Sequence, residues 1–316
     1  MNDSPLVVCI VGPTACRKTE VSIQLAHKTD GEIISADSVA VYRELDIGSA
    51  KPSMVERDGI PHHMIDVADL TDIHFTVATF RNLAHQAIDD VLMRGKLPIV
   101  VGGSGLYMDS IFSNMNFSSP SNAEVRHRLE SEYKSSPACV FERLKRIDPD
   151  TAARLHPNDA KRVVRALEVY EVSGKPFSSL NQDFQSVQNN MNKYKVLRYG
   201  LNMDRGALYE RINSRVDHMF QTGLKEEAFA LFSKGYTPAY PALQSIGYAQ
   251  LYSVYQGLLP FEDAVNQIKQ ATRRFAKRQL TWFLRNPETK WFNLDQYQTV
   301  EEVVTAIQQD INLNDE

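Results

Sequence analysis

The chain has 316 residues, of which 43% are hydrophobic and 23% charged, and its formal net charge at pH 7 is −4. This composition excludes a disordered or fibrous protein, and the length suits one large or two modest globular domains. No apolar run approaches the roughly 20 residues that a membrane helix needs, and the net charge does not by itself indicate a nucleic-acid-binding protein.

The first third of the chain alternates short apolar segments with helical periodicity. Strands are predicted at residues 6–11, 32–38 and 97–103, and helices after residue 18 and at residues 76–94. Short apolar strands that alternate with helices favour a parallel sheet covered on both faces.

The periodicity changes beyond this segment. From about residue 120 to 174 it is only helical, and the polar residues 178–195 are predicted to form a connector or a surface hairpin. Another strand is predicted within residues 194–203, and long helices follow at 205–222 and 261–285. We therefore predict two domains: an α/β core of residues 1–115 and 191–316, and an all-helical insertion of residues 116–190.

The segment after the first strand has the pattern of a phosphate-binding loop. Gly12 is followed at a spacing of six by Lys18 and then by Thr19. In such loops the backbone amides bind an anion, the lysine reaches the outer phosphate, and the threonine hydroxyl can ligate Mg²⁺. The alternative is a plain strand-to-helix turn.

Arg17 departs from this pattern, which has glycine before the lysine. If the position needs a positive φ, a residue with a Cβ costs on the order of 1–2 kcal/mol there. The guanidinium either folds outward or adds a contact to the phosphate.

Polar residues also follow the other two predicted strands. Asp37 ends a strand that we predict to lie beside the first one, where a carboxylate can bind Mg²⁺, act as a general base or cap a turn. The glycine-rich residues 100–107 place Ser104 near the first loop, so the two turns predict a cleft. Lys51 is either a further phosphate contact or a surface lysine.

Residues 268–285 contain six Lys or Arg and no acid. Helical spacing predicts a buried face that comprises Val265, Ile268, Phe275 and Trp282. The cationic flank beside it comprises Lys269, Arg273, Lys277 and Arg278. A second basic cluster lies at residues 161–165. The alternative is a solvated helix face, but charges of a single sign on two separate elements favour a folded RNA as partner.

Two other patterns are interpreted as structural. Cys9, Cys16 and Cys139 show no metal-ligand spacing and cannot all pair, which suits a reduced, cytoplasmic protein. Cys9 is predicted to be a small core residue. His62 and His63 are adjacent, so their side chains diverge, and we predict no metal site there.

Eight segments, in order, resemble those of the tRNA dimethylallyltransferases, also called tRNA isopentenyltransferases. They are GPTACRKTE, SADSVAVYRELDIGSAKP, HHMIDVADL, VVGGSGLY, DPDTAARLHPNDAKRVVRALEVYEVSGKP, DRGALYERINSRVDHM, QSIGYAQL and TRRFAKRQLTWF. The resemblance implies a P-loop NTPase-like parallel sheet flanked by helices, with a helical insertion. It also implies a bacterial-type enzyme, which we expect to be a cytoplasmic monomer without an obligate protein partner.

The activity that the resemblance implies is transfer of a dimethylallyl group from dimethylallyl diphosphate to N6 of the adenine 3′-adjacent to a tRNA anticodon. Lys18, Thr19 with Mg²⁺, and Arg215 would stabilise the leaving diphosphate. Asp37 would accept the N6 proton, and Ser104 takes the position of the family's usual threonine near the adenine. The adenine must leave the anticodon-loop stack.

The resemblance also implies two sets of binding residues. The diphosphate would be held by Gly12, Pro13, Thr14, Ala15, Cys16, Arg17, Lys18 and Thr19. The anticodon stem-loop of the tRNA would be contacted by Asp37, Ser38, Val39, Ala40, Ser104, Arg126, Lys161, Arg162, Val163, Val164, Arg165, Gln244, Ser245, Ile246, Gly247, Tyr248, Lys277, Arg278, Gln279, Thr281 and Trp282.

The sequence departs from the family pattern at Arg17, which replaces glycine, and at Ala40, where many members carry glutamine. Ser49 is a mild replacement of threonine. Two other interpretations stay open: a tRNA-binding paralogue inactivated by Arg17, and a small-molecule kinase that uses ATP in the same kind of loop.

Overall fold

The structure is a computed structural model that describes residues 4–113, 121–180 and 193–315. The chain divides into two compact units. The core unit comprises Met1–Phe112 and Met191–Glu316, and the helical insertion comprises Ser113–Asn190. No helix of the described ranges is long and apolar enough to cross a membrane.

The core unit contains a six-stranded parallel sheet, which confirms the predicted fold class. Its strands are β1 (Leu6–Val11), β2 (Gly31–Ser35), β3 (His62–His63), β4 (Leu97–Gly102), β5 (Lys195–Asn202) and β6 (Lys290–Asn293), in the spatial order β3-β2-β4-β1-β5-β6. The edge strands β3 and β6 were not predicted, because segments of two and four residues are too short to show periodicity.

The strand order corrects one prediction. Asp37 follows β2, which we expected to lie next to β1, but β4 lies between them. Val11 is in register with Gly102, and Ser35 with Val101. Hydrophobic patterning identifies a strand but not its neighbours, since every central strand of a parallel sheet is buried on both faces.

Helices flank the sheet and form the insertion. In chain order they are α1 (Lys18–Thr29), α2 (Val77–Met93), α3 (Gly105–Phe112), α4 (Ala123–Ser135), α5 (Pro137–Ile147), α6 (Pro149–Arg154), α7 (Ala160–Ser173), α8 (Phe177–Leu180), α9 (Arg205–Gln221), α10 (Leu224–Ser233), α11 (Tyr248–Tyr255), α12 (Phe261–Phe283) and α13 (Val300–Asp315). The predicted helices agree with α1, α2, α9 and α12 to within two residues at the ends we specified, whereas α10, α11 and α13 were missed.

Alternate residues of β1 enter two separate cores, one on each face of the sheet. Cys9 lies in the core with α2, α3, α10 and α11, and Ile10 lies in the core with α1 and α13. The Cys9 thiol is fully buried, 3.1 Å from the sulfur of Met108, and burial raises its pKa to about 11. The prediction that Cys9 is a small core residue is confirmed.

The helical insertion has its own apolar core, which includes Leu129 and Leu167. Inside it, Glu168 is fully buried and accepts hydrogen bonds from Arg126 and Arg165. Those bonds hold the pKa of the Glu168 carboxyl below its usual value even though burial opposes them. Most of the predicted polar connector, residues 181–192, lies outside the described residues.

Candidate active site

The predicted phosphate loop connects the carboxyl end of β1 to the first turn of α1. Gly12 has φ 145°, and a Cβ there would lie 2.4 Å from the carbonyl oxygen of Leu201 on β5. Only glycine therefore fits at that position. Ala15 and Arg17 also have positive φ, and α1 begins at Lys18 immediately after them. The turn thus presents the amino end of a helix, which favours an anion.

Arg17 has φ 59° and ψ 21°, so the position requires the left-handed conformation that glycine adopts without strain. Its guanidinium lies 3.9 Å from Glu20, and 41% of its side chain is exposed. The side chain therefore extends toward Glu20 and also lines the cleft beside the loop, and its contact with phosphate stays a prediction.

Replacing Arg17 by glycine is expected to raise the free energy of unfolding by about 1 kcal/mol, because the Cβ that strains the left-handed backbone is removed. Urea denaturation would measure the change. Arg17→Ala is the matched control, since it removes the same guanidinium but retains the Cβ. Equal unfolding midpoints for the two variants would contradict the prediction.

Three cationic side chains approach the loop. The Lys18 ammonium donates a hydrogen bond to the Pro13 carbonyl at 2.8 Å. From α9, Arg215 lies 3.4 Å from the Thr14 hydroxyl, and Arg211 donates to the Ala15 carbonyl at 3.0 Å. Arg211 was missed, although its spacing of four residues from Arg215 places both on one helix face.

Burial is the main influence on the two inner cations. It lowers the pKa of Lys18 and that of Arg215, and each is lowered further by the positive charge of neighbouring groups. The negative charge of the Asp37 carboxylate raises both pKa values and so opposes these effects. A site with cationic side chains at the amino end of a helix is stabilised by a bound anion.

A cleft of about 1020 Å³ opens beside the loop. Its lining includes Lys18, Thr19, Arg211 and Arg215, and Thr19 is exposed to it. Among the described residues, no group of three or more His, Cys, Asp or Glu could hold a metal ion by itself. A cation in this cleft would need oxygen ligands from a bound phosphate group and water, which is how Mg²⁺ usually binds.

Asp37 lies two residues beyond β2. Its Oδ1 accepts hydrogen bonds from the amides of Val39 at 2.8 Å and Ala40 at 3.1 Å. The capping role considered from the sequence is therefore present, and it fixes the orientation of the carboxylate. A capping bond does not exclude catalysis, since a positioned carboxylate is what a general base requires.

Ser104 joins the turn after β4 to the turn that carries Asp37. Its hydroxyl accepts from the Ser38 amide at 3.0 Å and lies 3.2 Å from the Ser38 hydroxyl. The two turns can approach closely because residue 102 is glycine. A Cβ at that position would lie 2.2 Å from the Ala36 carbonyl oxygen. The structure thus joins the turn after β4 to the turn that carries Asp37, whereas the cleft that we predicted lay between the turn after β4 and the first loop.

The predicted buried face of α12 is partly wrong. Val265, Phe275 and Trp282 are only half-buried, whereas Gln279 is 6% exposed. The buried residues of the helix are Ala264, Ile268, Ala276, Gln279 and Phe283. The helix packs the Gln279 amide against Gly103 and the Trp282 ring against Gly105, and hydrophobicity alone does not identify such a face.

Trp282 of α12 contacts the beginning of α3. Its indole N–H donates to Asp109 at 2.8 Å, and a Cβ at Gly105 would lie 2.3 Å from the indole ring. Arg285 stacks on the outer face of the ring at 3.9 Å. Trp282 therefore anchors α12 to the second glycine turn, while Arg285 covers the indole.

Only part of the predicted cationic flank of α12 is exposed to solvent. Lys269 pairs with Asp217 at 2.6 Å, and Arg273 donates to Asn213 at 2.6 Å, so both are held by α9. Lys277 and Arg278 are exposed, as is Thr281. Only the second half of α12 presents cations to solvent.

Several residues assigned to tRNA are buried, so their contact with RNA stays a prediction that burial does not favour. Tyr248 is fully buried and donates to Glu227, with its ring against Gly48. The others are Ala40, Val163, Val164, Gly247 and Gln279. A motif marks a segment, whereas helical periodicity turns some of its residues inward.

The remaining residues assigned to tRNA are exposed or half-buried; they are Ser38, Val39, Arg126, Lys161, Arg162, Arg165, Gln244, Ser245 and Ile246.

Lys51 fits neither predicted role. Its ammonium is bonded to Asp46, Asp66 and the Tyr42 carbonyl, and its side chain is 4% exposed.

Comparisons with known proteins agree with this geometry. A family model described as IPP transferase matches residues 40–286. The tRNA dimethylallyltransferase of Pelotomaculum thermopropionicum is 44% identical over 304 residues, which cover 96% of this chain and 95% of that protein. The protein from Anoxybacillus flavithermus with the same name is 45% identical over 91% of this chain and 90% of its own length.

Solved structures show the same likeness. The crystal structure of a tRNA delta(2)-isopentenylpyrophosphate transferase from Staphylococcus epidermidis has a TM-score of 0.71 and 39% identity, and the match covers 98% of this chain and 99% of that one. A eukaryotic dimethylallyltransferase acting on tRNA has a TM-score of 0.79 and 30% identity, over 98% of this chain and 80% of that one. The similarity therefore spans almost the whole chain.

Proposed function

The chain belongs to the IPP transferase family, and from that premise we propose that it transfers a dimethylallyl group from dimethylallyl diphosphate to tRNA, at N6 of the adenine 3′-adjacent to the anticodon. The observation that carries the proposal is the phosphate loop with its two half-buried cations, Lys18 and Arg215, whose charges Asp37 partly balances. A site of this kind can bind a diphosphate and accept a proton beside it.

The reaction breaks the bond between the allylic carbon and its diphosphate oxygen, and that electron pair leaves with the diphosphate. The N6 lone pair of the adenine forms the new C–N bond, and the N6 proton goes to the Asp37 carboxylate. The products are N6-isopentenyladenosine and diphosphate. Negative charge grows on the leaving oxygen, where Lys18, Arg215 and the first amides of α1 stabilise it.

Mg²⁺ fits the cleft as a cofactor, because Thr19 places an exposed hydroxyl at the amino end of α1. Bound there with diphosphate oxygens, the ion would neutralise part of the leaving group's charge. Lys18, which also lines the cleft, supplies a further positive charge.

The acceptor is proposed to be the anticodon stem-loop of a tRNA. Each unit offers exposed cations for its phosphates: Lys277 and Arg278 on α12, and Lys161 and Arg162 on α7. Ser104 and Ser38 lie beside Asp37 and can orient the flipped adenine. We propose that the protein acts in the cytoplasm as a monomer.

Labelled dimethylallyl diphosphate and unmodified anticodon stem-loop RNA test the proposal. We expect label in RNA that carries adenine next to the anticodon, and none in matched RNA with guanine there or after Mg²⁺ is chelated. ATP turnover without RNA and no labelled RNA would favour the kinase. Product from Arg17→Gly but not from the unaltered chain would identify an inactivated paralogue.

A further inference from the structure

Gln279 is a buried polar residue on α12 that contacts both glycine turns of the site. Its side-chain oxygen accepts a hydrogen bond from the Thr14 amide at 2.8 Å, and its side-chain nitrogen donates to the Gly103 carbonyl at 2.9 Å. The residue is 6% exposed. One amide side chain therefore joins the phosphate loop to the turn that carries Ser104.

The absence of a side chain at position 103 leaves space for the Gln279 amide. A Cβ at Gly103 would lie 2.3 Å from the Gln279 nitrogen, so glycine at that position is what admits the amide. The bridge also uses both polar ends of the side chain. A carboxylate would lose the donor, and an apolar side chain of the same length would lose both bonds and leave the Thr14 amide without this partner.

The bonded amide belongs to the strained part of the loop. Thr14 precedes Ala15 and Arg17, which have φ values of 67° and 59°. A backbone in that conformation persists when its surroundings hold it. Thr14 also carries the hydroxyl that lies 3.4 Å from Arg215, so a shift at Thr14 would move the loop relative to that cation.

We propose that Gln279 is a positioning residue that holds the phosphate loop in its anion-binding conformation and fixes the loop to α12. The proposal rests on the proposed function, since it assigns the bridge a role at the diphosphate site. It replaces the RNA contact predicted for Gln279. The helix that bears Lys277 and Arg278 toward solvent thereby shares a hydrogen-bonded link with the diphosphate loop.

Calorimetric titration with inorganic diphosphate and Mg²⁺ tests the proposal on the full chain. Gln279→Met is expected to weaken diphosphate binding about tenfold, as the loss of a buried hydrogen-bonded bridge predicts. Gly103→Ala is the second variant, because its methyl group displaces the amide without changing Gln279. Gln270→Met, an exposed position on the same helix, is the matched control and should bind diphosphate like the unaltered chain.

Two further measurements separate positioning from a merely structural role. Both variants should raise KM for dimethylallyl diphosphate more than they lower kcat. Binding of labelled stem-loop RNA should change less than twofold. Unchanged diphosphate affinity in whichever of Gln279→Met and Gly103→Ala remains folded would overturn the proposal.

The result of the diphosphate titrations does not depend on whether the protein transfers a prenyl group. If the unaltered chain binds diphosphate but transfers no dimethylallyl group, the proposed function fails while the diphosphate titrations still decide the role of Gln279. If RNA affinity falls about tenfold in Gln279→Met and diphosphate affinity stays constant, Gln279 acts on RNA binding instead and the inference is wrong.

Discussion

Replacing Asp37 by asparagine is expected to lower kcat by about 10²–10⁴, the usual contribution of a positioned general base. The amide oxygen of asparagine can still accept the hydrogen bonds from Val39 and Ala40, so the turn is retained. What is lost is the group that takes the N6 proton. KM for dimethylallyl diphosphate should change little, because the phosphate loop is unaltered.

Single-turnover incorporation of labelled dimethylallyl groups measures this loss without a contribution from product release. Asp263→Asn is the matched control, since Asp263 is an exposed carboxylate on α12 and its loss should not affect the rate. A rate for Asp37→Asn within threefold of the unaltered chain would show that another group, or water, accepts the proton. In that case the Asp37 carboxylate would serve only to cap the turn.

Replacing Lys18 by methionine is expected to lower kcat/KM for dimethylallyl diphosphate by about 10²–10³, as the loss of a preorganised group that stabilises a leaving charge predicts. Lys18 sits under the loop with its ammonium on the Pro13 carbonyl, and burial lowers its pKa. Partial burial of a cation costs stability, so the methionine variant should unfold at the same temperature or higher.

The combination of lost activity with retained stability distinguishes this result from unfolding. Lys28→Met is the control, because Lys28 lies near the carboxyl end of the same helix and pairs with Glu301 at 3.4 Å. Steady-state kinetics and thermal denaturation of the two variants would be compared. Equal kcat/KM for both would mean that the diphosphate does not bind in this loop.

Most of the phosphate loop could be predicted from the sequence. Gly12, Lys18 and Thr19 could be identified because the loop is a local structure, formed within a few residues between one strand and one helix. The need for positive φ at Arg17 could be stated for the same reason. The direction of its guanidinium could not, because a long side chain chooses among rotamers according to neighbours such as Glu20.

The contacts of α12 could not be predicted from the sequence. A basic helix was identified, but Lys269 and Arg273 are bonded to α9, and Gln279 faces the loop. Each of these contacts joins residues that are far apart in the chain. Which face of a helix is buried depends on the shape of the surface that it covers, and here that surface includes glycine turns as well as apolar side chains.

The amino-acid sequence by itself determined the parallel α/β core, the helical insertion, the phosphate loop and the position of Asp37 at a strand end. These follow from periodicity and from turn chemistry, which act over a few residues. Only the tertiary structure decided that β4 separates β2 from β1, that Arg211 joins Arg215 at the loop, and that Gln279 bridges the two turns. Those features depend on which distant segments pack together, and packing is settled by the three-dimensional fit of all the elements at once.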